Sequence, residues 1–261
     1  MRQDQISLMV PFGPLTKAYF VERPNRFLIR CRLAQSENEA GYEDGAQALT
    51  PISSGQMVEA HLPDPGRMKE LLVPGNDIWL KKADKPGRKT KWSAVLTQDP
   101  STGAWVSIDS TLPNELIEKA LAANCLEELN GWNLVRREAP VGGSRFDYLL
   151  ASPDGHQMAL EVKSVTLVKN KIGLFPDAVT ARGARHVREL TDLAQQEGWE
   201  AGILFVGQRQ DMERIRAAAD IDPVFAQALK AAHQAGVNIL ARRCRVTLEG
   251  VCLDEQIPVE V

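Results

Sequence analysis

The chain has 261 residues, 44% of them hydrophobic and 25% charged, with a formal net charge of −3. That length allows one large or two ordinary domains with a core of useful size. The acidic balance excludes a polycation, so any surface for nucleic acid must be a local patch. No apolar run approaches the roughly 18 residues of a membrane helix. The opening MRQDQISLMVPFGPL lacks a signal-peptide pattern. The four cysteines, Cys31, Cys125, Cys244 and Cys252, form no Cys-x-x-Cys pair. The expectation is a cytoplasmic protein with free thiols and no membrane partner.

From the start, the chain reads as short strands separated by turns, at Arg26–Leu33, Gln56–His61, Asp77–Lys82, Trp92–Thr97 and Ala104–Asp109. Each is β-rich or alternating, and Gly, Pro, Asn or Asp bounds it. The polar stretch 36–54 between the first two reads as a loop. Five strands in about a hundred residues suit a small barrel such as the OB-fold. The texture changes at Leu112. In PNELIEKALAANCLEEL the apolar residues fall at helical spacing from Pro113 to Leu129. Strand-like segments follow near 134–137, 145–151 and 157–165. A helix over Gly183–Glu197, a buried strand at Gly202–Val206, a helix near Pro223–Ala235 and strands near 237–241 and 245–248 complete the chain. The order α-β-β-β-α-β belongs to an α/β sandwich. The pattern predicts two domains, 1–111 and 112–261.

The hairpin RFDYLLASPDGHQMALEVK carries three charges inside apolar runs. Asp154-Gly155 is a strong turn signal. A loop at Pro153–Gly155 sets Phe146 opposite Val162 and Tyr148 opposite Leu160 on one face. The same register sets Asp147 opposite Glu161 on the other, with Lys163 beside them. Two opposed carboxylates repel, and two arrangements offset this. Lys163 neutralises them at a solvated edge, or the pair shares a divalent cation whose shell water and phosphate complete. In the second case Lys163 steadies the attacking water or the developing phosphate charge.

Two basic segments complete the candidates. FPDAVTARGARHVREL places Thr180, Arg182, Arg185 and His186 around the start of a helix, a geometry that suits phosphate. A solvated helix face with Glu189 as ion-pair partner is the plainer account. KKADKPGRKTK carries Lys81, Lys82, Lys85, Arg88, Lys89 and Lys91 against a single acid. It is either a solubilising loop or a phosphate-tracking patch. Arg23, Arg26, Arg30 and Arg32, with Phe27 and Trp92, would suit a barrel surface that binds nucleic acid by charge and stacking.

The order of elements and the charges on the hairpin resemble the core of the PD-(D/E)XK nuclease superfamily. Matching stretches along the chain resemble the sugar fermentation stimulation protein family (SfsA). They are VERPNRF (21–27), HLPDPGRMKELL (61–72), PNELI (113–117), SRFDYLL (144–150), LEVKSVTL (160–167) and the arginine-rich segment 175–190. The chain departs from the family pattern at Asp64-Pro65, where Asn-Thr is usual. The resemblance implies an N-terminal OB-like domain and a C-terminal α/β restriction-endonuclease-like domain. It implies DNA binding without strong sequence preference and a link to regulation of sugar (maltose) catabolism. Asp147, Glu161 and Lys163 take the catalytic positions. Asp147, Glu161, the Val162 carbonyl and Glu118 (or Glu115) on the first helix are the expected ligands of Mg²⁺ or Mn²⁺. Three readings stand: a metal-dependent nuclease, a DNA-binding regulator that does not cut, and an RNA-binding protein.

Overall fold

The computed structural model describes residues 8–34, 55–83 and 86–261. The stretch 36–54, expected as a loop, and Lys85 lie outside them. Chain contacts divide the protein into two units. One comprises Pro11–Ser110 with Thr247–Gly250, and the other Thr111–Val246 with Val251–Val261 and Val10. The short stretch Thr247–Gly250, late in the chain, thus groups with the first unit.

The first unit is a barrel. Its strands are β2 (Leu15–Asn25), β3 (Leu28–Leu33), β4 (Met57–His61), β5 (Asp77–Lys82) and β6 (Trp92–Gln98), preceded by the short β1 (Val10–Pro11). They pair in the order β4-β3-β2-β5-β6, and β4 then pairs with β6 to close the ring. The short β7 (Trp105–Ser107) is appended to β6. The strand expected at Ala104–Asp109 is therefore outside the closed ring. The missing fifth member is β2, whose alternation of buried Ala18 and Phe20 with Lys17 and Tyr19 is a strand signal. Charged residues and Pro24 at its far end mask that signal. The closing contact is short, pairing Ala60 with Trp92 and His61 with Ser93. Its interior is filled by Ile29, Cys31, Ile78, Leu80 and Ala94, with Met68 and Leu71 from the loop after β4.

The second unit opens with α1 (Leu112–Ala122), followed by β8 (Asn133–Val141), β9 (Ser144–Ala151), β10 (Gln157–Val165), β11 (Val168–Lys169) and β12 (Ile172–Phe175). Then come α2 (Ala181–Ala194), β13 (Trp199–Gly207), β14 (Arg214–Ala217), α3 (Pro223–Gln234), β15 (Asn238–Val246), β16 (Gly250–Gln256) and β17 (Val259–Glu260). The main sheet runs β1-β16-β15-β13-β10-β9-β8. Its centre is parallel, β10 with β13 and β13 with β15, and its flanks are antiparallel. A second small sheet, β11-β12-β14-β17, lies outside the expected list because its strands are short and partly charged. Helix α1 is shorter than its apolar spacing predicts. Asn124 takes a left-handed φ of 50° that ends the helix, and a 3₁₀ turn over Glu127–Leu129 then buries Leu129.

Helices α2 and α3 cover one sheet face. Val187, Leu190, Phe225 and Leu229 meet Ala159, Ile203 and Phe205 there. Gly202 is a close approach, since a Cβ at this position would stand 2.9 Å from Leu160 Cδ1. Glu128, after the 3₁₀ turn begins, forms a two-pronged pair with Arg242 of β15, both contacts 2.7 Å. Both side chains are nearly buried. The bidentate geometry suits a desolvated Arg–carboxylate pair.

The starts of α2 and α3 share one carboxylate. Asp222 is buried, and its Oδ1 accepts the Phe225 N–H at 2.9 Å as the N-cap of α3. Its Oδ2 accepts the Thr180 N–H at 2.8 Å, at the N-cap of α2. Asp222→Ala removes a cap and strands a buried donor, and should cost about 2–4 kcal/mol. Asp222→Asn keeps one of the two bonds and should cost less. Urea unfolding of the two variants checks the order.

Candidate metal centre and nucleic-acid surfaces

Hairpin β9–β10 has the register that the turn predicts. Leu160 pairs with Tyr148, Met158 with Leu150 and Gln157 with Ala151. Gly155, in the tip, has a φ of 92°, open only to glycine without strain. The ladder stops at the Tyr148–Leu160 pair. Beyond it the Val162 N–H turns to the Asp147 carboxylate, with Oδ2 accepting at 2.8 Å. On the other side of β9, Glu138 has a left-handed φ of 48°, and no pairing joins it to Asp147. Asp147 thus sits where β9 is loosened from both neighbours.

This loosening corrects the expected faces. Alternation puts Phe146 and Tyr148 on the same side. Instead Phe146 packs with Ala159 and Val187 and meets the His186 ring edge-on at 5.8 Å. The Tyr148 hydroxyl donates to the Asn114 carbonyl of α1. Strict period-two reasoning fails because Asp147 interrupts the pleat.

The Asp147 carboxylate also accepts from the Asn114 amide through Oδ1, at 3.1 Å. Glu161 is buried, and its Oε1 takes both the Lys163 ammonium and the His186 Nδ1, the latter at 2.7 Å. Arg182 Nε donates to His186 Nε2 at 3.3 Å, so the imidazole proton lies on Nδ1 and points at Glu161. The other Glu161 oxygen, Oε2, and Asn114 Oδ1 are buried with no hydrogen-bond partner among the described residues.

The two carboxylates differ electrostatically. Burial, and then the charge of Glu161, push the Asp147 carboxyl from 3.8 up to about 6. The Val162 N–H, Lys163 and Asn114 oppose that only in part. Burial also pushes Glu161 upward, but the His186 hydrogen bond and the Lys163 charge outweigh it and hold this group below the ordinary glutamate range. The arrangement is one fixed anion beside one carboxyl that titrates within reach of neutrality, a pattern that functional sites favour.

Helix α1 places its acids elsewhere. Glu118 pairs with Arg137 at 2.7 Å and Glu115 with Lys119 at 3.2 Å. Asn114, one residue before Glu115, holds the place beside Asp147 that Glu118 was expected to hold. Glu118 is drawn off because Arg137, on β8, offers a charge partner. Among the described residues, no group of three or more His, Cys, Asp or Glu is arranged to hold a metal ion. The oxygen donors on hand are Asp147, Glu161 and the unpartnered Oδ1 of Asn114. Two carboxylates beside buried, unsatisfied acceptors suit a hard cation that keeps several waters.

The basic segments fare unevenly. Thr180 is the N-cap of α2, its Oγ1 accepting the Gly183 N–H at 3.0 Å. A Cβ at Gly183 would come within 2.7 Å of Thr180 Cγ2. The Thr180 side chain is thus committed to the helix rather than to phosphate. His186 is buried on Glu161, so it too is withdrawn from a solvent-borne phosphate. Arg182 and Arg185 stay exposed, although Arg185 lies 3.7 Å from Glu189. On the barrel, Lys81 and Lys82 at the end of β5, and Arg88, Lys89 and Lys91 before β6, are all exposed. Arg30 is held between Glu22 and Glu59, and Arg32 donates to the Gly55 carbonyl. Arg23 holds four backbone carbonyls. The shortest bonds are 2.5 Å to Gly66 and 2.7 Å to Arg26, and Arg67 and Asp64 complete the set. These arginines build the barrel surface rather than line it. What sequence reasoning missed is Asn114, for which the short PNELI stretch gave no chemical cue.

Residues 111–250 match the family described as the sugar fermentation stimulation protein RE domain, and residues 21–108 match the SfsA N-terminal OB domain. A sugar fermentation stimulation protein homolog of Shouchella clausii is 45% identical over 248 residues, 95% of this chain and 98% of the relative. A homolog from Moorella thermoacetica is 40% identical over 249 residues, 95% of this chain and 97% of the relative. The solved structure of Pyrococcus furiosus SfsA in complex with Ca²⁺ is 29% identical and superposes with a TM-score of 0.81, covering 97% of this chain and 98% of that one. With an OB barrel followed by a restriction-endonuclease-like α/β unit along nearly its whole length, the chain belongs to the sugar fermentation stimulation protein family.

Proposed function

We propose that the second unit is a divalent-cation-dependent phosphodiesterase acting on DNA, with the barrel adding grip on the backbone. The observation that carries this reading is the carboxylate pair. Asp147 is set in a gap in the sheet beside Glu161, with Lys163 on Glu161 and two buried oxygen acceptors left over. Solvated edge charges, the plainer account of the hairpin, do not fit a buried Glu161 with Asp147 and Lys163 only partly exposed beside it. The relative whose structure was solved is described as a complex with Ca²⁺, which supports a hard-cation site.

Asp147 and Glu161 would hold the ion, with the Val162 carbonyl and Asn114 Oδ1 as further oxygens. Mg²⁺ or Mn²⁺ bound there supplies charge stabilisation and an acidified water. The chain's own groups do the rest. His186 keeps Glu161 oriented through Nδ1, and Arg182 keeps His186 oriented through Nε2. Lys163 stands ready to steady the nucleophile or the negative charge that gathers on phosphorus-bound oxygens. Arg182 and Arg185 are the exposed cations next to this site. The exposed lysines and Arg88 of the barrel would track phosphates without reading sequence.

One observation favours a second reading. The acidic set is two rather than three, since Glu118 is paired with Arg137. A protein that binds DNA without cutting, and acts on sugar-catabolic genes as the family name implies, would need no more than this. Incubating wild type and Glu161→Gln with linear and supercoiled DNA, in Mg²⁺, Mn²⁺ or EDTA, separates the two. The nuclease reading expects metal-dependent cutting that falls at least a hundredfold in the variant. Binding with no cutting by wild type in any metal leaves the regulator.

The titration of Asp147 gives two further expectations. Its carboxyl must ionise to hold a cation, so Mn²⁺ affinity should fall about tenfold per pH unit below about 6. Calorimetry between pH 5 and 8 measures this, and a flat profile would remove Asp147 from the ligand set. The second concerns stability without metal. The folded carboxyl titrates near 6 and the unfolded one near 3.8, so the folded state holds its proton more tightly. Stability is therefore lost as pH rises from about 4 to 6, and the loss is complete above that. Asp147→Asn should raise the stability of the metal-free protein at pH 8 by about 1–3 kcal/mol. The gain should vanish near pH 4, and stabilisation by added Mn²⁺ should be lost. Thermal melts at the two pH values test it.

A further inference from the structure

We propose that Phe27 and His61 form a stacking ledge on the barrel for an unpaired nucleobase, with Arg88 and Lys89 taking the adjoining phosphate. This rests on the nucleic-acid part of the reading above and not on cleavage.

Phe27 is the tip of hairpin β2–β3 and leaves 49% of its surface in water. Its ring lies nearly parallel to that of His61, at 27° and 6.4 Å between centroids. The backbone beneath it is fixed. The Phe27 N–H donates to Asn25 Oδ1 at 2.9 Å. Its carbonyl accepts from the Leu62 N–H at 2.9 Å and from His61 Nδ1 at 3.2 Å. Arg23 ties the preceding carbonyl, that of Arg26, to the carbonyls of the HLPDPGRM loop. Asp64 Oδ1 closes that loop by accepting the Gly66 N–H at 2.7 Å. An Asn would accept the same bond, so the departure at Asp64-Pro65 keeps the turn. The two motifs therefore cooperate to fix the backbone that carries an exposed aromatic ring. A ring on a fixed backbone has only its own two torsions to lose when a ligand covers it.

The ring borders an open groove of about 790 Å³ whose other wall carries Pro86, Arg88 and Lys89. That volume is in the range that small-molecule sites occupy. Among the described residues Arg88 touches only the neutral Ser93 hydroxyl, at 3.0 Å, and no acid pairs with it there. The acid on the rim, Glu59, is paired with Arg30 at 3.1 Å. The groove thus joins an apolar ring to uncompensated positive charge. Phe27 offers a π-face and no polar side-chain atom. A base inside a duplex has both its faces covered by neighbours, so the fitting occupant is a single strand.

The test uses the full-length protein in EDTA, so that cutting plays no part. Fluorescence anisotropy compares a labelled 12-nucleotide oligothymidine, an abasic strand of equal length and a 20-base-pair duplex. Phe27→Ala should bind oligothymidine about tenfold or more weakly, as the loss of one base–aromatic contact implies, with abasic and duplex binding unchanged. Phe27→Trp should retain the affinity, and its added fluorescence should be quenched by oligothymidine but not by the abasic strand. Two results would overturn the ledge: equal binding of oligothymidine by wild type and Phe27→Ala, or an equal loss on all three nucleic acids. Duplex binding by wild type with no binding of oligothymidine overturns the ledge and leaves the proposed function standing. Failure to bind any of the three overturns both.

Discussion

One hydrogen bond sets the character of the second unit. The Val162 N–H leaves the ladder and goes to the Asp147 carboxylate. In an ordinary hairpin that donor would meet a main-chain carbonyl, and two acids at opposed positions would simply repel. Here one acid takes over the role of the missing carbonyl. The strands part around it, Phe146 rolls towards α2, and Tyr148 reaches α1. Glu161 is left facing His186 and Lys163. A single side chain acting as a backbone acceptor thereby turns a hairpin into a charged cradle.

The cradle is costly in itself. One carboxyl is held back from ionising by burial and by its neighbour's charge, and two acceptors are left unsatisfied. Stability and site chemistry therefore pull in opposite directions, as is common where function needs charge in a dry place. The arrangement around Glu161 limits the damage. His186 and Lys163 keep this residue anionic, so the carboxyl that burial and the neighbouring charge push up is that of Asp147. Lys163 then has two partners to choose between, the carboxylate and whatever negative charge arrives.

Much of this was legible in the sequence, and the failures have physical causes. The Asp-Gly turn fixed the register of β9–β10 because a two-strand ladder has few ways to start. Glu161, Lys163 and the helix beyond them could be placed from that register. The faces on either side of Asp147 could not, because period-two alternation presumes an unbroken pleat. Glu118, or Glu115, was the third acid that the nuclease resemblance implied, but a resemblance in sequence says nothing of Arg137 on a strand that comes back to meet Glu118. Thr180 and His186 sit in an arginine-rich run, and composition alone reads the run as one surface. The fold divides it, with Thr180 spent on a cap, His186 buried, and Arg182 and Arg185 outside. In the barrel, β2 was hidden by its charged end although its buried half alternates cleanly.

The pairing of Glu128 with Arg242 has a bearing on how the protein is made. The two residues are 114 positions apart, so a ribosome releases the acid long before the base that neutralises it. Until then the turn that buries Glu128 would enclose a lone charge, and that state is strongly disfavoured. The main sheet of the α/β unit likewise lacks a second strand beside β13 until β15 is made. The barrel needs nothing from that late segment beyond four residues, Thr247–Gly250. Synthesis from the amino terminus accordingly delivers the barrel strands β2–β6 well before β15 brings the charge that pairs with Glu128.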